Sequence, residues 1–168
     1  MRHSPLSPPH PTAEAPMLTR RAALLISFAA LAACGRRPEA PTAKANLHPG
    51  ETPELRALIR KWAATYEIPE SLLHRQIQRE SGYNPAARNG PYYGLMQILP
   101  QTARTMGYRG TPEGLLDPDT NLEFGAKYLR GAWLVSGGNQ DKAMKWYAKG
   151  YYYEAKRLGL LRETGLKS

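Results

Sequence analysis

Apolar residues in this chain recur three and four positions apart, in short runs closed by glycine or proline, and rarely alternate one by one. That pattern confines it to short amphipathic helices packed on one core and leaves little material for a sheet. Leu55, Leu58, Ile59, Trp62, Ala63 and Tyr66 form one such stripe, with Thr52 placed to cap it and Pro53 at the first helical position. A second helix opens at Pro69 and Glu70, carries Leu73, Ile77 and Glu80 on one face, and is closed by Gly82. Asn84 to Tyr93 has the Pro, Asn and Gly density of a loop. Further helices are expected from Pro100 to Met106, stopped by Gly107, and from about Thr120 to Val135, with Leu122, Ala126, Leu129 and Trp133 inward. Asn139 caps another that reaches Lys149, and a last helical piece holds Tyr153 to Leu161. The reading is a mainly α, single globular domain over residues 52–168, of a size for one core.

Glu80 is out of place in that scheme. A carboxylate in the last turn of a helix, on the apolar face, is desolvated and sits near the negative end of the helix dipole. Both effects favour the protonated form, which is what a general acid requires. The alternative is a Glu that swings into solvent or pairs with Arg75, Arg79 or Arg88. From Ser81 to Pro112 there is no Asp or Glu at all. A glycosidase that uses two protein carboxylates sets them on either side of the scissile bond. Here no second acid lies nearby in sequence. If Glu80 is catalytic, it is expected to serve as both acid and base, with the substrate supplying the nucleophile.

Glu80-Ser81-Gly82-Tyr83-Asn84-Pro85, followed by Gly94-Leu95-Met96-Gln97-Ile98, resembles the catalytic signature of the soluble lytic transglycosylases of glycoside hydrolase family 23. Leu116-Asp117-Pro118 and Asn121 to Leu129 are similar to the family's third motif, so the resemblance covers nearly everything from Pro53 to Lys156. It implies a lysozyme-like fold and a cell-wall enzyme that cleaves the β-1,4 bond from N-acetylmuramic acid to N-acetylglucosamine, giving 1,6-anhydromuramic products without consuming water. Glu80 is then the general acid and base, and Ser81, Gly94, Met96, Gln97 and Tyr147 are the substrate-binding positions. Three of them have a plainer reading as well. Ser81 can bond the helix backbone, Met96 can be core, and Gly94 can serve a tight backbone approach. Where most members read Ala-Tyr-Asn-Ala-Gly, this chain has Trp146-Tyr147-Ala148-Lys149-Gly150, so the amide of the Asn is lost at Ala148. Tyr151, Tyr152 and Tyr153 can extend a saccharide groove or pack on the core.

Residues 1–34 read as a leader. Met17 opens a basic segment followed by an apolar run from Ala22 to Ala33, too short for a membrane span but suited to a signal peptide, and translation is expected to start at Met17. Leu31-Ala32-Ala33-Cys34 resembles a lipobox, which makes Cys34 the lipidated residue; the alternative is a buried thiol in an ordinary helix. Residues 35–51, rich in Pro, Ala and charge, read as a flexible tether. The expectation is a lipid-anchored, periplasm-facing monomer. Gly35 lacks the aspartate associated with inner-membrane retention, which leans the anchor towards the outer membrane.

From Gly35 onward the chain carries 20 basic and 13 acidic residues, a net charge of +7. Such an excess suits a polyanionic partner. The basic residues are scattered rather than gathered on one reading element, which argues against nucleic acid and for peptidoglycan with its carboxylates. The four histidines lack metal-ligand spacing, His74 standing alone in a helix, so no metal and no cofactor are expected. Two competitors remain on the sequence: a muramidase that adds water, and a non-catalytic module that binds peptidoglycan.

Overall fold

The computed structural model describes residues 46–167. The leader, Cys34 and the tether up to residue 45 lie outside the described residues. Among them run six α-helices: α1 (Pro53–Thr65), α2 (Glu70–Glu80), α3 (Pro100–Thr105), α4 (Pro118–Val135), α5 (Gln140–Lys149) and α6 (Tyr152–Leu158), with a 3₁₀ helix over Pro112–Leu116. The caps follow local chemistry. Thr52 Oγ1 accepts the Leu55 N–H at 3.2 Å, and Asn139 Oδ1 accepts that of Lys142 at 3.0 Å. α4 begins ahead of Thr120 because Asp117 accepts the Thr120 N–H at 2.8 Å and Pro118 takes the first helical position. α6 stops short of Leu161 because Gly159, at φ 74°, turns the chain left-handed.

The expected loop from Asn84 to Tyr93 contains a small antiparallel hairpin, β1 (Arg88–Asn89) with β2 (Tyr92–Tyr93), extended by a bridge from Tyr93 to Ile98. Its two-residue strands are too short to show periodicity. The mainly helical, lysozyme-like fold expected from the sequence is what forms, with this hairpin as its sheet among the described residues.

α4 is the axis of the core. Leu122, Ala126, Leu129 and Ala132 on it have no exposed surface, and they meet Ile59 of α1, Leu72, Leu73 and Ile77 of α2, Ala143 of α5 and Ala155 of α6. Trp133 is only half-buried, because the inward stripe passes through Ala132. The Trp62 indole donates to Asp119 Oδ1 at 2.6 Å and pins α1 to the start of α4. At Gly125 a Cβ would lie 2.7 Å from the Met96 side chain, so glycine there lets the turn Gly94–Gln97 press directly on α4. No helix among the described residues is long and apolar enough to cross a membrane.

Candidate active site

The end of α2, the hairpin and the last turn of α5 enclose a cleft of about 530 Å³ whose lining includes Glu80, Gln97, Tyr128, Tyr147 and Ala148. Among the described residues, Glu80 is the one carboxylate lining it. Its side chain is 22% exposed, enough to meet a ligand while largely out of water. Burial pushes the carboxyl above the usual carboxylate range, and the Arg79 charge, with Nε at 3.9 Å, opposes this. Of the other arginines, Arg75 is spent on Asp141 at 2.6 Å and Arg88 on the Tyr93 hydroxyl at 2.7 Å. The partner that holds Glu80 is Gln76, one turn back and fully buried, whose Nε2 donates to Oε1 at 2.7 Å. Gln76 Oε1 has no hydrogen-bond partner among the described residues. An amide with one face orphaned and the other on the carboxylate is a residue the sequence reading missed. Its signal was there, a polar residue four before Glu80 on the buried face.

The remaining expected positions divide between cleft and scaffold. Gln97 lines the cleft with its backbone at φ 45°, and its Nε2 donates to the carbonyls of Gly94 (2.9 Å) and Ala87 (3.2 Å). The Gln97 carbonyl oxygen of the side chain makes no such bond among the described residues and is left to accept from a ligand. Tyr147 lines the cleft too, and its hydroxyl donates to the Met96 carbonyl at 2.9 Å. Burial, reinforced by the Glu80 charge, keeps that phenol protonated. Met96 itself is fully buried against α4, so its side chain stays out of the cleft. Ser81 Oγ donates back to the Ile77 carbonyl at 3.3 Å, as a hydroxyl at a helix end does. Gly94, at φ 70°, has no room for a Cβ: one would lie 2.6 Å from the Leu115 carbonyl and closer still to the Asn121 amide.

Asn121 explains that crowding. It is fully buried, accepts the Met96 N–H at 2.8 Å, and donates to the carbonyls of Tyr93 (2.8 Å) and Leu115 (2.7 Å). One side chain thus fastens the cleft floor to α4. Of the aromatics after α5, Tyr151 is buried with its hydroxyl on the Tyr128 carbonyl at 2.9 Å, whereas Tyr152 and Tyr153 are exposed.

Residues the sequence left in the tether are packed on the domain. Glu51 is fully buried as a side chain. Burial pushes its carboxyl up, but the Arg56 fork, the His48 N–H and nearby His74 together hold it below the usual range. His74 Nδ1 lies 2.9 Å from the Tyr83 hydroxyl, and burial drives its own value down despite Glu70. His48, Glu51 and His74 bring ligand-type atoms within 4.8 Å of one another, a meeting that spacing along the chain did not reveal. Both Glu51 oxygens, however, are taken by Arg56, so the carboxylate is already matched to a cation. The cluster reads as a clasp that seats the incoming chain on the Gly82–Tyr83 turn, where a Cβ on Gly50 would come 2.7 Å from the Gly82 carbonyl.

Comparison with known proteins places the domain that holds this cleft in a family. The transglycosylase SLT domain family matches residues 57–160. Membrane-bound lytic murein transglycosylase C of Yersinia pestis (strain Pestoides F), and that of Yersinia pseudotuberculosis serotype O:1b, are 36% identical over 102 residues, covering 54% of this chain and 28% of theirs. The chain therefore spans under a third of the length of these relatives. Among solved structures, the 70 kDa soluble lytic transglycosylase from Escherichia coli superposes with a TM-score of 0.54 at 29% identity, over 64% of this chain and 19% of that one. A complex of the 70-kDa soluble lytic transglycosylase with bulgecin A gives the same TM-score at 27% identity, over 67% of this chain and 21% of its own.

Proposed function

The chain belongs to the transglycosylase SLT domain family, and from that premise we propose that it is a peptidoglycan lytic transglycosylase in which Glu80 is the single acid and base. The observation that carries the reading is a cleft with one carboxylate, half-buried and biased towards its protonated form. Protonated Glu80 donates to the glycosidic oxygen between N-acetylmuramic acid and N-acetylglucosamine as the bond breaks towards an oxocarbenium-like state. The muramic N-acetyl carbonyl stabilises the anomeric carbon, the role a second carboxylate fills elsewhere. Glu80, now ionised, takes the proton of the muramic 6-hydroxyl, whose oxygen closes on the anomeric carbon. A 1,6-anhydro ring results and the acid is regenerated.

The supporting roles follow the geometry. Gln76 orients the carboxylate, and Gln97 offers its free oxygen to an N-acetyl N–H. Tyr147 acts by holding the Met96 carbonyl and closing the cleft wall. On this reading Ser81, Gly94 and Met96 shape the site through the backbone and the core rather than by touching sugar. Lipidation at Cys34 and a place on the periplasmic face of the outer membrane complete the proposal, supported by the leader pattern and by membrane-bound relatives.

The test is incubation of wild type and Glu80→Gln with peptidoglycan sacculi, with soluble muropeptides read by mass spectrometry. Anhydromuramic products from wild type alone are expected. Hydrated products make the protein a muramidase. Retention on sacculi with no products from either makes it a binding module, the outcome that Ala148 in place of an amide would favour.

A further inference from the structure

Three departures from the family pattern, Trp146, Ala148 and Lys149, fall within one turn at the mouth of the cleft. The structure joins two of them. Lys149 Nζ sits 4.1 Å from the centre of the Trp146 ring, so an aromatic face holds the ammonium in place. Between them Ala148 lines the cleft as an exposed methyl, which clears space beside the cation. Lys149 lines the same cleft and, among the described residues, makes no ion pair. Glu154 is committed to Arg157 at 2.7 Å, and Glu80 lies against Arg79 on the other wall. Among the described residues the cleft lining thus carries two cations to one acid, and Lys149, whose charge reaches Glu154 without bridging to it, has no carboxylate in contact. A fixed, unpaired ammonium beside a sugar cleft is a receptor for an anion carried on the sugar.

Resting on the proposed activity, we infer that Lys149, seated on Trp146, is a carboxylate-binding subsite that selects acidic muramyl strands over neutral glycan. The carboxylate has two possible sources with the same chemistry. In peptide-stripped strands it is the free lactyl group of the muramic acid; in peptide-bearing strands that group is an amide and the carboxylates belong to the stem.

The test measures binding, so that it does not depend on turnover. The full chain carrying Cys34→Ser and Glu80→Gln is titrated with three soluble probes: peptide-free GlcNAc–MurNAc oligomers, the same oligomers with stem peptides, and GlcNAc oligomers without any carboxylate. Adding Lys149→Met is expected to weaken a carboxylate-bearing probe about threefold to tenfold, the range of one partly exposed charge-assisted bond, and to flatten its salt dependence. Trp146→Ala reproduces part of that loss. Lys145→Met, exposed on α5 outside the cleft, serves as the charge control. Loss confined to the peptide-free oligomers assigns the lactyl group, and loss confined to the peptide-bearing ones assigns the stem. An equal loss for the neutral oligomers, no loss for any probe, or no binding of any probe by the parent chain overturns the inference. Failure of the catalytic reading shows separately, as wild type that releases no muropeptides while Lys149-dependent binding persists.

Discussion

Gln76→Leu separates the pull of burial on Glu80 from the pull of its one close hydrogen bond. The N–H of Gln76 reaches Glu80 Oε1 at 2.7 Å and stabilises the ionised carboxylate, against the desolvation that favours the acid. A hydrogen bond to a charged group is worth about 1.5–3 kcal/mol. At 1.36 kcal/mol per decade, its loss makes deprotonation of Glu80 roughly 10- to 150-fold less favourable. The same substitution removes an orphaned buried oxygen, which costs about 1–3 kcal/mol where it stands, so the two changes in stability nearly cancel. The expected variant therefore melts within about 4 °C of wild type, while its chemistry is displaced. The alkaline limb of the pH–kcat profile, which reports loss of the proton from the acid, moves to higher pH by that 10- to 150-fold factor in proton activity. Muropeptide release from sacculi between pH 4 and pH 9 gives the profile, and a ¹³C titration of labelled Glu80 gives the group directly. An unmoved limb, or one shifted to lower pH, refutes the assignment of Gln76 as the partner of the ionised form.

Other variants probe the rest of the account. Asn121→Ala strands the Met96 N–H and the Leu115 carbonyl, at about 1 kcal/mol or more each, and leaves the Tyr93 carbonyl with only the Ile98 N–H, so melting falls by about 10 °C or more and muropeptide release is lost with the cleft floor. Glu80→Gln should be the reverse in stability. A group whose folded value is raised contributes stability at low pH that is lost as pH rises through that value, so the variant's gain in melting temperature over wild type grows from pH 4 to pH 8. Glu51→Gln leaves Arg56 largely buried without its counter-charge and destabilises by about 3 kcal/mol at pH 7 in denaturant melts. Because Glu51 is held low in the fold, that deficit shrinks as pH falls through its lowered value, where wild type loses the same interaction.

The parts of this molecule written locally were legible in the chain. Thr52 and Asn139 cap as their side chains dictate, Gly82 ends α2 at φ 57°, and Glu80 lies on the buried face its spacing put it on. What escaped was decided by contacts far apart in sequence. The role of Met96 turned on Gly125, whose missing Cβ opens the seat that buries it. Asn121 stood inside a recognised motif, but its three partners come from β2, the turn that follows it and the 3₁₀ helix. His48 and His74 looked unrelated until the fold set their rings 4.8 Å apart beside Glu51. Gln76 was passed over because a glutamine on an apolar stripe resembles a pattern error. It is instead the residue that holds the acid.

The central claim, that one carboxylate does the work of two and no water enters the product, is tested most directly by running the reaction in H₂¹⁸O. Wild type should release muropeptides that carry no ¹⁸O at the muramic anomeric carbon and weigh one water less than hydrolysed fragments. Label at that carbon in the initial products would show that water, not the 6-hydroxyl, is the nucleophile, and the single-residue mechanism at Glu80 would fall.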